Sequence, residues 1–351
     1  MVILGILILL FVMTDVVVTT LTLGGGGPLT DKVAMGLWRI VLYYHRRSSN
    51  HKLLFLAGPI ILLTTALLWF TLIFIAWILI FNASEIAVVT SSNKVPASFW
   101  ERVYFVGYTL STLGMGDFQP QGVAWQLATA IASVNGFVLV SLSITYLLPV
   151  ISAATQKRQL AVYISSLGGA TDEIVARAWN GKDFGQFGQH LITIAPQITL
   201  QSEQHLTYPV LHYFHSIERS RAFVLSLAAL DEALTLLQYG VKESARPDPA
   251  ALSPIRRTIA AFLRTLSSTY IEPADVTPPP PPLELLRANG IPTVSDQEFW
   301  ENLELTVERR KLLLALVQED GWTWDSIAST KTTSRATNLD DYAVTDDVIL
   351  R

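Results

Sequence analysis

Four residues within six positions, Thr112, Gly114, Gly116 and Asp117, have the types and spacing needed to coordinate a cation; they belong to the sequence TLSTLGMGDF, Thr109–Phe118. A cation that leaves water needs replacement oxygens, and successive backbone carbonyls supply them when all face one axis. Such a strand requires alternating backbone conformations that residues with side chains resist and that glycine permits. We therefore expect this segment to line a path for a dehydrated monovalent cation.

The segments around this site are predicted to be membrane spans. The chain has 351 residues, of which 15% are charged, and its mean hydropathy is +0.39. Residues 2–23, 53–81 and 122–154 are apolar and, at about 1.5 Å per residue, long enough to cross a hydrocarbon core of about 30 Å. A cleaved signal peptide is the alternative for the first segment, but that segment lacks a basic start and a small-residue cleavage site.

A short helix is expected to carry the chain into the site. Ser98 and Glu101 have the spacing of a capping box, which predicts a helix start at Ser98. About 14 residues remain before the glycines, and the resulting helix of roughly 21 Å is too short to cross the membrane. The segment must therefore enter part-way and return as extended chain, which membranes tolerate only where protein shields the backbone or water lines it.

The sequence Tyr108–Asp117 resembles the pore loop and selectivity filter of tetrameric potassium channels in their prokaryotic-like form. The resemblance covers about residues 53–154. It implies an outer helix, a re-entrant pore helix, a filter and an inner helix, with four copies around one axis. The filter positions that match are Thr112, Leu113, Gly114, Met115 and Gly116.

In this arrangement the carbonyls of residues 112–115 form stacked rings, and the Leu113 and Met115 side chains point away from the axis. Asp117 would lie at the outer mouth, where a ring of carboxylates concentrates cations. Tyr104 occupies a family position often held by Trp, so its hydroxyl is expected to support Asp117. Met115 replaces the usual Tyr or Phe, and because a thioether cannot make the hydroxyl's bond, selectivity for potassium over sodium could be relaxed.

Two further positions have a functional and a structural interpretation. Gly136 matches the glycine hinge of the family's inner helices, but close helix packing explains it equally well. Asp15 is the one charged residue within the apolar segments. A charge there suggests function, whereas an Asp satisfied by threonines of a neighbouring helix is the alternative.

The second half of the chain is predicted to be helical, with a helix over 203–239, a linker over 276–293 and a capping box at Ser295 and Glu298. His212, His215 and Glu218 are spaced by three, which would place them on one helical face as half of a divalent-metal site. A proton sensor and ordinary polar residues are the alternatives.

Lys and Arg are concentrated in 24–52 and after 156, which predicts an outside N-terminus, a cytoplasmic C-terminal domain and a location in the plasma membrane. The predicted fold is an all-α membrane protein. Its expected regions are an N-terminal transmembrane helix (1–23), a cytoplasmic loop with an interfacial or span-packed helix (24–52), an ion-channel pore domain (53–155), a cytoplasmic helical domain (156–330) and a disordered acidic tail (331–351).

The sequence predicts a passive cation channel, potassium-selective, in which inner-helix motion coupled to the cytoplasmic domain gates the pore. A non-selective or sodium-permeable channel and a non-conducting sensor or scaffold are the alternatives. The expected partners are three further copies of the chain, the lipid bilayer and K⁺ as permeant ion. We predict no enzyme activity, no cofactor apart from the divalent cation considered above, and no nucleic acid, because neither catalytic motifs nor a basic, aromatic-rich patch is recognisable.

Overall fold

A computed structural model describes residues 1–48, 50–268 and 271–328. The predicted tail, 331–351, lies outside these residues. The membrane half contains α1 (Val2–Leu21), α2 (Pro28–Ser48), α3 (His51–Phe81), α4 (Phe99–Leu110) and α5 (Val123–Leu167). The C-terminal half contains α6 (Thr171–Ala178), α7 (Phe187–Thr207), α8 (Phe223–Thr235), α9 (Pro249–Ser267), α10 (Glu284–Ala288), α11 (Asp296–Leu303) and α12 (Val307–Glu319).

Three helices, α1, α3 and α5, are long and apolar enough to cross a membrane. The strands β1 (Val89–Thr90) and β2 (Phe118–Gln119) form one antiparallel pair outside these helices. The predicted all-α membrane architecture is confirmed. Long apolar faces of the spans remain exposed on the single chain, as expected of surfaces that meet lipid or other copies.

Helix α1 packs antiparallel to α3. A Cβ on Gly5 would lie 2.7 Å from the Ala76 carbonyl oxygen, so the two backbones approach as closely as glycine permits near the ends of the pair. At the other end of the pair, the Trp69 indole donates to the Asp15 carboxylate over 2.8 Å.

Asp15 is fully buried and connects three helices. It accepts from the Leu29 amide at 2.8 Å and from the Thr30 hydroxyl at 2.6 Å, in the first turn of α2. A carboxylate at this position satisfies otherwise unpaired first-turn amides and complements the positive end of the helix dipole. Of the two interpretations of Asp15, the structure therefore matches the satisfied carboxylate.

Helix α2 packs lengthwise on α3, because its apolar residues recur every four positions. Ala34, Trp38 and Leu42 form this face and share a core with α3, α5 and the 3₁₀ turn Pro209–Tyr213. The span-packed linker helix is thus the alternative that matches this structure.

Helix α5 continues without interruption from the membrane half into the C-terminal domain. Pro149 lies inside it and does not end it. Leu160, Ala161 and Ile164 belong to the domain's core, and the helix ends at Leu167 with Gly168 as its C-cap. One rigid element therefore joins the span to the domain.

The C-terminal domain is built around α8, in which every residue is buried. Its two acidic residues are paired: Asp231 with Arg256 and Arg309, and Glu232 with Arg310. Arg310 donates to both Glu232 oxygens, at 2.8 and 2.9 Å. The pairs compensate the cost of placing carboxylates in the core.

Two predictions about this domain are wrong. The expected helix over 203–239 is divided into the end of α7, 3₁₀ turns and α8, because Pro209 ends the hydrogen-bonded ladder. The expected linker 276–293 is folded: it includes α10, Leu283 and Leu286 enter the core, and the Pro279 carbonyl accepts from Arg310.

Candidate functional site: a re-entrant pore loop

The half-length helix α4 enters beside α3 and α5. Its predicted capping box is present, and the Ser98 amide donates to Glu101 Oε2 over 2.7 Å. The helix ends after 12 residues at Leu110. The Leu110 carbonyl lies against Gly136, which is 13 residues along α5 and about 20 Å from that helix's start. The chain therefore turns back about two-thirds of the way through the span.

The backbone after α4 alternates as the cation-coordination argument requires. Thr112, Gly114 and Gly116 have φ of +58°, +59° and +84°, whereas Leu113 and Met115 between them do not have positive φ. Glycine adopts this region freely, but a β-branched residue there is strained. Thr112 keeps the conformation although it has a side chain, and such strain is concentrated at functional sites.

Four successive carbonyl oxygens in this segment have no hydrogen-bond donor among the described residues. Among the described residues, no hydrogen bond is accepted by the carbonyl oxygens of Thr112, Leu113, Gly114 or Met115. The whole stretch from Ser111 to Asp117 is exposed on the single chain. Unsatisfied backbone at this depth cannot face lipid, so other protein or a water-filled path must cover it.

The outer end of the segment is held by side chains from both sides. The Tyr104 hydroxyl donates to Asp117 Oδ2, which is the contact expected from its position. At 3.4 Å this hydrogen bond is long. A stronger support is Tyr108, whose hydroxyl donates to the Phe118 carbonyl at 2.8 Å. Ser91 in the preceding loop contributes two bonds, from its hydroxyl to the Gly116 carbonyl and from its amide to the Asp117 carbonyl.

Sequence reasoning missed Tyr108 and Ser91. The usable signal for Tyr108 was a hydroxyl-bearing side chain near the end of the short helix that precedes Thr112–Gly116. Ser91 contributes through the β1–β2 pairing, which joins Thr90 to Phe118. A two-residue strand is too short to recognise in the sequence.

Gly136 lies where α5 crosses the end of α4. A Cβ there would be 1.9 Å from the Leu110 carbonyl oxygen and 2.7 Å from its carbon. Such distances mean overlap, so no larger residue fits without separating the two helices. Close packing, one of the two interpretations of this glycine, is therefore present in the structure.

The residues of the predicted metal site do not share a helical face. His212 is in the turn Pro209–Tyr213, and Glu218 precedes α8 in a loop, where it pairs with Arg221. His215 is buried and contacts Asp320 at 3.3 Å and His51 at 3.0 Å. In the parts of the chain described, no group of three or more His, Asp or Glu side chains is placed to hold a metal ion.

Comparisons with known proteins agree with the pore-loop geometry. A family model described as an ion channel matches residues 61–153, which include α4, the segment 112–116 and most of the membrane part of α5. The uncharacterized membrane protein YdjJ of Bacillus subtilis (strain 168) is 37% identical over 322 residues, which cover 91% of this chain and 94% of YdjJ. No solved structure matches. The chain belongs to the family of membrane proteins that includes YdjJ, and its residues 61–153 match an ion channel domain.

Proposed function

We propose that four copies of this chain form a passive, potassium-selective channel in the plasma membrane, with the filter carbonyls of residues 112–115 facing the shared axis. The observation that carries the proposal is the run of four uncommitted carbonyls on a backbone with positive φ at alternate residues. Rings of such oxygens replace a cation's hydration shell. A single chain supplies only one side of each ring, so the site is complete only in an oligomer.

Charge around the segment favours a cation at both ends. The C-terminal end of α4, which has the partial negative charge of the helix dipole, is directed toward the membrane centre. Asp117 lies at the opposite end of the segment, and its side chain is exposed. Four copies would place four carboxylates at the mouth and concentrate cations there.

The orientation follows from the loops. Lys and Arg cluster between α1 and α3 and after α5's apolar part, whereas the loop from Asn82 to Ser98 contains Lys94 alone. The positive-inside rule therefore favours a cytoplasmic C-terminal domain and an external filter mouth. Because α5 is continuous into that domain, a domain movement would be transmitted to the inner helix, which is our proposed route of gating.

One observation supports a second candidate, a non-selective or sodium-permeable pore. Met115 stands where a hydroxyl-bearing aromatic residue would fix the filter, and the methionine is 53% exposed on the single chain. A filter with less lateral support holds its oxygen rings less rigidly, so the size discrimination between sodium and potassium would be weaker.

Bilayer recording of the purified full chain tests the proposal. Under opposed potassium and sodium gradients, we expect a reversal potential close to the potassium equilibrium value. Gly114→Ala should abolish the current because φ of +59° is strained for alanine by about 1–2 kcal/mol per residue. Gly36→Ala is the matched control: Gly36 lies within α2, no atom lies within 4 Å of the position that a Cβ would occupy, and current should persist.

Three outcomes would contradict parts of the proposal. Folded tetramers that stay silent under all ionic conditions would indicate the sensor or scaffold alternative. A reversal potential near zero would indicate the non-selective pore. If Met115→Tyr left the permeability ratio unchanged, the argument about lateral support of the filter would be wrong.

A further inference from the structure

Two adjoining cavities form a groove between α3 and α5. One has a volume of about 170 Å³ and the other about 260 Å³. Pro59, Ile151 and Phe214 line both, so the cavities adjoin at these residues. The groove is distant from the filter, since it involves the opposite end of α3 from Phe81.

The larger cavity is apolar and lies at the depth of the hydrocarbon. Counting about 30 Å along α3 from Phe81 places the membrane boundary near residue 61. Leu62, Leu63 and Ala66 of α3 lie within that limit and line the cavity, and Ile144 and Leu147 of α5 also line it. Its dimensions and lining suit part of a hydrocarbon chain.

The smaller cavity is basic and lies just beyond this boundary, at the depth of lipid headgroups. Lys157, Arg158 and Arg221 line it. Arg158 is exposed and makes no ion pair among the described residues, and Arg221 has an exposed partner, Glu218, at 3.0 Å. Asp320 is the one carboxylate in the lining, and it contacts His215.

Lys157 is the buried basic residue of the smaller cavity. Its side chain is only 6% exposed, and its ammonium donates to the Leu211 and Phe214 carbonyls, each at 3.2 Å. A lysine has three N–H donors, and no carboxylate of the described chain lies within ion-pair distance of this one. A buried charge is costly, and an anion in the cavity would stabilise the charged form of this lysine.

We propose that this groove binds an anionic phospholipid of the leaflet on the C-terminal-domain side, with one acyl chain in the apolar cavity and the phosphate in the basic cavity. The groove opens toward both regions that such a lipid occupies, and each end has the matching chemistry. Because Phe214 and Arg221 belong to the segment between α7 and α8, the bound lipid would contact the spans and the C-terminal domain together. The binding site does not depend on the channel's conduction or ion selectivity.

Native mass spectrometry of the purified full chain with added phosphatidylglycerol or phosphatidylcholine tests this site. The wild type should bind phosphatidylglycerol more tightly than phosphatidylcholine. Arg158→Gln with Arg221→Gln should weaken phosphatidylglycerol binding about 25-fold, about fivefold for each arginine from the roughly 1 kcal/mol that a basic residue near the surface contributes. Phosphatidylcholine binding should change little.

A matched double variant removes the same charge elsewhere. Arg257→Gln with Arg264→Gln alters two exposed residues of α9 outside the groove and should leave phosphatidylglycerol binding unchanged. Ala66→Phe fills the apolar cavity and should weaken binding of both lipids. Unchanged thermal unfolding without lipid establishes that each variant is folded.

Three results would overturn the proposal. The first is that the wild type binds the two lipids equally. The second is that the α9 variant loses as much binding as the groove variant. The third is that folded Ala66→Phe retains both lipids. Displacement of phosphatidylglycerol by millimolar inorganic phosphate would also overturn it, because the occupant would then be a soluble anion.

Discussion

Replacing Gly136 by alanine adds one atom, the Cβ, which should overlap the end of α4 and so disturb the proposed pore. The new Cβ would lie 1.9 Å from the Leu110 carbonyl oxygen, whereas a carbon and an oxygen ordinarily approach to about 3.3–3.6 Å. The helices α4 and α5 must therefore separate by more than about 1 Å, or α4 must slide. Leu110 is two residues before Thr112, so the filter moves with it.

The sign of the stability change distinguishes packing from a simple hinge. In an unobstructed helix interior, Gly→Ala stabilises by about 0.5–1 kcal/mol because alanine loses less backbone entropy. At Gly136 the overlap should outweigh that gain, since overpacking costs about 1–3 kcal/mol. We expect a melting temperature several degrees lower and a reduced or abolished single-channel current.

Thermal unfolding in detergent and bilayer recording provide the two measurements. Gly36→Ala, on the open side of α2, should be neutral or slightly stabilising and should conduct normally. Gly136→Ala with an unchanged or higher melting temperature and full conductance would refute the reasoning, because the α4–α5 contact would then have to be absent from the working protein.

Three further predictions concern buried polar groups. Asp15→Ala removes the acceptor of the Leu29 amide, the Thr30 hydroxyl and the Trp69 indole. At about 1–3 kcal/mol for each unsatisfied group, it should lower the free energy of unfolding by about 3 kcal/mol or more. Thermal unfolding in detergent measures this loss. Arg310→Ala leaves the Glu232 carboxylate buried without its ion-pair partner and should lower the free energy of unfolding by about 3–5 kcal/mol in the same assay. Burial lowers the pKa of His205 to about 3 and that of His212 to about 4. Since the unfolded chain binds more protons between these values and about 6.5, the melting temperature should fall as pH is lowered from 7.5 to 5.

Matched variants separate these effects from general damage. Thr14→Ala, next to Asp15 on the exposed face of α1, should be nearly neutral. Arg287→Ala breaks an exposed pair with Asp296 and should cost at most about 1 kcal/mol. A pH dependence that persists unchanged in a folded variant with both His205 and His212 replaced by glutamine would contradict the attribution of the effect to these two histidines.

The elements of the membrane half could be predicted because each depends on local chemistry. Apolar length defines α1, α3 and α5, and the Ser98–Glu101 spacing together with the glycines defines α4. The C-terminal half was less predictable because its packing depends on contacts between residues that are far apart in the sequence. The expected linker became part of a core because Leu283 and Leu286 find apolar partners that lie far along the chain.

The amino-acid sequence by itself determined the three spans, the half-length helix and the Thr112–Gly116 filter motif, since length, capping and backbone permissiveness are properties of neighbouring residues. Only the tertiary structure decided that Asp15 holds the first turn of α2, that Gly136 admits the Leu110 carbonyl, and that Lys157 lines a cavity together with Arg158 and Arg221. These are contacts between segments distant in sequence. A local pattern states what a side chain can bind, but only folding brings its partner within reach.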